Sequence, residues 1–174
     1  ESTLTVSNSS FDNHYIGIQA ASGVVMSEAE LTVSDTVFTD FNYAGVELRA
    51  GTAALSNVTV TDSDTYGVRA YPDTEMPLTD VDMSAIEATC VSSSGRKVTV
   101  NGLTLTTCGS RGVDIHSGEL IGADIWVDGA ASDGLYVQAL TLTNSTLSNN
   151  GGSGIYVLGA DISTVTNSVL SSNG

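Results

Sequence analysis

Leu140-Thr-Leu-Thr-Asn-Ser-Thr-Leu147, with Gly154-Ile155 beginning seven residues beyond it, sets the reading of the whole chain. Large apolar residues alternate with threonine on either side of an asparagine. Alternation with period two describes strands, and Asn tolerates the left-handed backbone of a bend. The unit recurs. Leu31-Thr-Val-Ser-Asp-Thr-Val-Phe38 precedes Gly45-Val46, and Val98-Thr-Val-Asn-Gly-Leu-Thr-Leu105 precedes Gly112-Val113. Leu55, Val60 and Gly67 keep the same spacing, as do Gly122, Val127 and Gly134. The bend residue forms a ladder at Asn8, Asp35, Asn57, Asp80, Gly102, Asp124, Asn144 and Asn167, in steps of 27, 22, 23, 22, 22, 20 and 23 residues. Eight units of about 22 residues thus account for positions 1–174 as a single array. Only the fourth looks truncated, with Met83 followed almost at once by Ala85-Ile86.

Three short strands per unit, bent at stacked Asn, Asp and Gly, predict an all-β chain: a right-handed parallel β-helix of about eight coils. In the bend ladder and the Gly-Ile/Val strand the chain resembles the pectin-lyase-like superfamily of β-helices, over its entire length. One inward file is expected to run Phe11, Phe38, Val60, Met83, Leu105, Val127, Leu147, Leu170. A second is expected to run Ile18, Val46, Val68, Ile86, Val113, Leu135, Ile155. The chain begins almost on a strand, stops inside a coil and carries no amphipathic capping helix. It is therefore expected to be a segment of a longer protein, flanked by further coils or capping domains of that protein.

The 174 residues carry 20 acidic and 5 basic side chains, a formal charge of −15. Such a surface repels phosphate backbones, so nucleic acid is not an expected partner. No apolar run approaches the ~20 residues that span a bilayer as a helix, so no membrane insertion is expected. Regular stacking would place Cys90 and Cys108 at opposite ends of a strand, beyond the ~7 Å limit for a disulfide. That argues against pairing, although the irregular fourth unit leaves it open.

The outward faces differ. The first and second strands show mainly Thr and Ser, which suits exposed strands, with the single tryptophan, Trp126, among them. The third strand is expected to expose Gln19, Glu47, Arg69, Glu87, Asp114, Tyr136 and Tyr156 in one file and Arg49, Tyr71, Thr89, His116 and Gln138 beside it. The segments Ala21–Glu30, Tyr71–Pro77 and Thr89–Lys97 are read as loops walling this face. Tyrosines stack on sugar rings, and carboxylates and Arg hold hydroxyls or uronates. Glu47, Arg69, Tyr71, Glu87, Asp114, Tyr136 and Tyr156 are therefore the expected polysaccharide-binding residues. Glu87 and Asp114, one coil apart at about 5 Å, would form a like-charged pair with the spacing of a retaining glycosidase. With Arg69 and His116 they are the candidate catalytic set.

The resemblance does not extend to an active site. The Asp-Asp, Gly-His-Gly and Arg-x-Lys of the pectin hydrolases are missing, as is the Asp-Pro-His-Asp of alginate epimerases. No cofactor is implied. Calcium is kept open at Asp62, Asp64, Asp80 and Asp82, which lie near bends, although no EF-hand or Gly-Asp repeat accompanies them. The expected role is an extracellular or cell-surface structural or adhesive segment, with polysaccharide held on the third-strand face. The alternatives are a polysaccharide-active lyase, hydrolase or epimerase, and a filament unit stacking through open ends.

Overall fold

The computed structural model describes residues 2–20, 29–49, 51–72, 74–159 and 163–174. Fourteen strands follow one another among them: β1 (Ser2–Ser7), β2 (Ser10–Ala20), β3 (Ala29–Leu48), β4 (Gly51–Ser63), β5 (Tyr66–Ala70), β6 (Thr74–Ile86), β7 (Thr89–Ser93), β8 (Lys97–Cys108), β9 (Val113–Asp128), β10 (Leu135–Thr143), β11 (Thr146–Ser148), β12 (Ile155–Val157), β13 (Thr164–Thr166) and β14 (Val169–Ser171). Every pairing is parallel and joins segments one coil apart, as in Leu31 with Ala53, Phe38 with Val60 and Val46 with Val68. The chain is a parallel β-solenoid. It makes about six complete turns at ~22-residue spacing, slightly fewer than the eight expected. Residues 21–28 lie outside the described set, and with them most of the expected loop Ala21–Glu30. Among the described residues no strand follows β14.

All eight predicted bend residues adopt positive φ, from 48° at Asn8 to 81° at Gly102. A second ladder lies five residues after the first, at Asn13, Asp40, Asp62, Ala85, Thr107, Gly129, Asn149 and Ser172, again all with positive φ. Each unit therefore bends twice into the left-handed region, once before and once after its second strand. Side chains bind neighbouring bends together. Asn57 Nδ2 donates to Asp35 Oδ1 at 2.7 Å. The hydroxyl after the first bend turns back to the carbonyl two residues earlier at Thr36, Ser145 and Ser168. Ser168 and Ser145 also accept the backbone N–H of Ser145 and Ile125 one coil away, at 3.1 Å each.

The first inward file stacks in the expected register from Phe11 to Leu170. Phe38, Val60, Met83, Leu105, Val127 and Leu147 are fully buried within one continuous core. Leu4, Val165 and Leu170, on the outermost rungs, stay exposed.

The fourth unit corrects the sequence reading. Its third strand is β7, not Ala85-Ile86. Val91 stacks between Val68 and Val113, whereas Ile86 stacks between Ser63 and Cys108 at the preceding corner. Thr89–Ser93, expected as loop, is strand, and Thr74–Pro77 of the second expected loop belongs to β6. The unit is of ordinary length, and its signature was hidden by a substitution. In other units a glycine opens the third strand because a Cβ there would strike the next coil; at Gly112 it would lie 2.5 Å from the carbonyl oxygen of Gly134. In the fourth unit Cys90 holds this place, with its N–H bonded to the Arg111 carbonyl at 3.2 Å. Cys108 comes within reach across the corner, and the two form a disulfide with Cα atoms 5.6 Å apart. The expectation against pairing fails because it placed Cys90 after the third strand rather than at its start.

Two outcomes test this packing. Leu105→Asp, which buries an unpaired charge in the file, should cost several kcal/mol, whereas Thr99→Ala on the exposed face should change stability by under about 1 kcal/mol. Ala85 bears a left-handed φ of 53° without a side chain that favours it. Ala85→Asn should therefore stabilise by about 0.5–1 kcal/mol, read as a higher melting temperature.

Candidate functional site

The third strands build one file across the coils: Gln19, Glu47, Arg69, Ser92, Asp114, Tyr136, Tyr156. Six of these seven are the expected residues. Ser92 stands where Glu87 was expected, because β7 starts at Thr89. The like-charged pair of Glu87 and Asp114 therefore does not form. Glu87 sits exposed at the corner before β7, where it lines a recess with Asp40, Asp62 and Asp64. Thr89 is likewise absent from the second file. It pairs with Tyr66 and is buried, while Ser94 takes the place between Tyr71 and His116.

Three clusters occupy this face. At its upper end Glu47 is wholly buried although it points outward. Its carboxylate accepts from Gln19 Nε2 at 2.9 Å and from Arg49 Nε at 3.0 Å. Two charge-assisted hydrogen bonds and close cover are what a buried carboxylate needs.

Below it, Arg69 does not pair with its register neighbour Glu47. Its guanidinium lies over the rings of Tyr66 and Tyr71, each 4.7 Å from the centroid, and over Tyr43 at 5.5 Å. Arg49 reaches the same Tyr71 at 5.4 Å. Tyr15 stacks on Tyr43, and Tyr43 meets Tyr66 edge-on. Cation–π contact holds the guanidinium while leaving its N–H fork without a carboxylate among the described residues.

The third cluster centres on Asp114, 7% exposed. Arg111 Nη1 donates to its Oδ2 at 2.8 Å, and Arg111 Nε lies 3.6 Å from Asp133. The Arg111 guanidinium also covers Tyr136 at 3.5 Å, and Tyr136 stacks on Tyr156 with centroids 5.1 Å apart. Burial works against the charge on Arg111. The hydrogen bond that Arg111 donates to Asp114 and the negative charges of Asp114 and Asp133 outweigh it, so the guanidinium is held above its ordinary pKa. His116 Nδ1 approaches Asp114 Oδ1 at 3.0 Å, and His116 meets Tyr136 edge-on. That approach is not aligned as a hydrogen bond. Oδ1 is buried with no donor pointed at it, so a carboxylate oxygen on this face lacks the donor that burial normally demands.

Tyr15, Tyr43, Tyr66, Arg111 and Asp133 went unnoticed in the sequence. Aligning the units on their glycines shows three of them, since Tyr15-Ile-Gly17, Tyr43-Ala-Gly45 and Tyr66-Gly67 place an aromatic just before the third strand. Of the possible calcium ligands, Asp62 and Asp64 line the corner recess, whereas Asp80 and Asp82 belong to the first bend and the second strand. Among the described residues no three His, Cys, Asp or Glu side chains converge as a metal site.

Residues 1–174 match the family model described as a right handed beta helix region. Comparisons with curated proteins and with solved structures return no match.

Arg111 neutralises both Asp114 and Asp133. Arg111→Ala should destabilise the fold by about 2–3 kcal/mol, because it leaves the buried carboxylate of Asp114 without its cation, whereas Asp133 keeps the N–H of Ser153. Denaturant unfolding at neutral pH checks this.

Proposed function

The chain belongs to the right-handed β-helix family, and from that premise we propose that it is an extracellular or cell-surface structural segment whose third-strand face binds polysaccharide. One observation carries the reading: aromatic rings and guanidinium groups are concentrated on a single face and fixed by one another. Tyr136 and Tyr156 stack in parallel under Arg111, and Arg69 is held among three tyrosine rings. Tyr156, 48% exposed and held parallel against Tyr136, offers a sugar ring a rigid apolar surface at little entropic cost. The Arg69 fork suits a carboxylate on an acidic sugar. The buried disulfide favours an oxidising compartment, which supports a location outside the cell.

A second reading, a polysaccharide-active enzyme, draws support from one feature. The exposed His116 has Nδ1 3.0 Å from Asp114, which Arg111 anchors, and an imidazole beside a carboxylate is a candidate general base. Glu87 has no part in it.

The readings separate in one experiment. On a glycan array the chain should retain a subset of polysaccharides. Tyr136→Ala should weaken retention about tenfold or more, because it removes the ring that holds Tyr156 and Arg111 in place. The bound glycan should be recovered uncleaved. Retention unchanged in Tyr136→Ala would overturn the binding face, and cleavage abolished in His116→Ala would favour the enzyme.

A further inference from the structure

A second site lies on a different face of the solenoid, independent of the one above. Trp126 points outward from β9, between Thr104 and Thr146 in register, and is 51% exposed. Its neighbours in the file are short, so neither coil covers the ring. Beside it lies an open recess of about 570 Å³ lined by Thr104, Asp124, Ile125, Asn144, Thr146 and Ser148.

The polar groups of this recess are unspent. At the equivalent bends of two earlier coils the pair Asp35 and Asn57 is closed by a 2.7 Å hydrogen bond. Asp124 and Asn144 are the same two residue types one coil apart, and the step between them is 20 residues instead of 22. Among the described residues their side chains make no hydrogen bond, and neither do the hydroxyls of Thr104 and Thr146 or the indole N–H of Trp126. The lower rim is fixed by contrast. Ser148 Oγ and Asn149 Nδ2 both donate to Asp128 Oδ1 at 2.7 Å. These two bonds lower the pKa of Asp128 and keep it ionised.

A flat apolar ring, bordered by unpaired hydroxyl, amide and carboxylate groups, matches a pyranose, which has an apolar C–H face and hydroxyls around its edge. Charge selects among sugars. The recess is bordered by the carboxylate of Asp124, has Asp128 at its lower rim and has no cation in its lining, in a chain of net charge −15. Acidic sugars are repelled there. We propose that Trp126, with Asp124 and Asn144, forms a binding site for a neutral hexose or pentose unit of a glycan.

Trp126 is the only tryptophan in the chain, so its fluorescence reports this site alone. Titration with cellohexaose, xylohexaose and mannohexaose should give a saturable change in emission for at least one of them, and trigalacturonate should give none. By calorimetry Trp126→Ala should bind that oligosaccharide at least tenfold more weakly. Asp124→Ala should weaken it several-fold, and Tyr136→Ala should leave it unchanged. Trp126→Ala is exposed and should melt with the parent protein, which separates lost binding from lost fold. Emission unmoved by all three neutral sugars, equal affinity in Trp126→Ala, or an equal response to trigalacturonate would overturn the proposal.

Discussion

Everything in this molecule depends on a bend that must recur at the same place in every coil. A parallel strand finds its hydrogen-bond partners only if the coil below turns at the same positions. Two left-handed residues, five apart, make that turn in each of the eight units. The left-handed region costs an ordinary side chain about 1–2 kcal/mol. Asn, Asp and Gly lower that cost, and they fill thirteen of the sixteen places. Ala85, Thr107 and Ser172 take the rest. Thr107 makes its position useful: its hydroxyl donates to the Thr106 carbonyl and accepts the N–H of Ala85 one coil away.

The face with candidate chemistry is a consequence of this regularity. Repeated bends align third strands, and aligned third strands place every second side chain into a straight file about 4.8 Å apart per coil. A file so spaced suits stacked rings, as Tyr136 and Tyr156 show, and it suits short ion pairs. It also brings charges close enough that each must be satisfied. Glu47 is satisfied by Arg49 and Gln19, and Asp114 half-satisfied by Arg111. Arg69 is held by rings rather than by an acid. On this face, among the described residues, its fork has capacity left for a ligand.

The first bend ladder, the inward files and six of the seven third-strand residues were legible because each obeys a strict period. The fourth unit was not, because one residue breaks its signature. Where backbone crowding elsewhere demands glycine, Cys90 stands, and its sulfur is bonded to Cys108. Reading Ala85-Ile86 as the missing strand shifted Glu87 into the file and misplaced both cysteines. The second ladder was partly visible in Asn13, Asp40, Asp62, Gly129 and Asn149, but Ala, Thr and Ser interrupt it. The aromatic cage around Arg69 was hidden for another reason. Its rings come from corners, whose side chains the strand period does not constrain.

The central claim is that the bends fix a common register through the fourth coil, and one measurement reaches it directly. Backbone proton contacts by nuclear Overhauser spectroscopy on the isotopically labelled protein should link Ser92 to Arg69 on one side and to Asp114 on the other, with Val91 between Val68 and Val113. Contacts that instead place Glu87 between Arg69 and Asp114 would contradict the account, and with it the disulfide and the arrangement of the third-strand face.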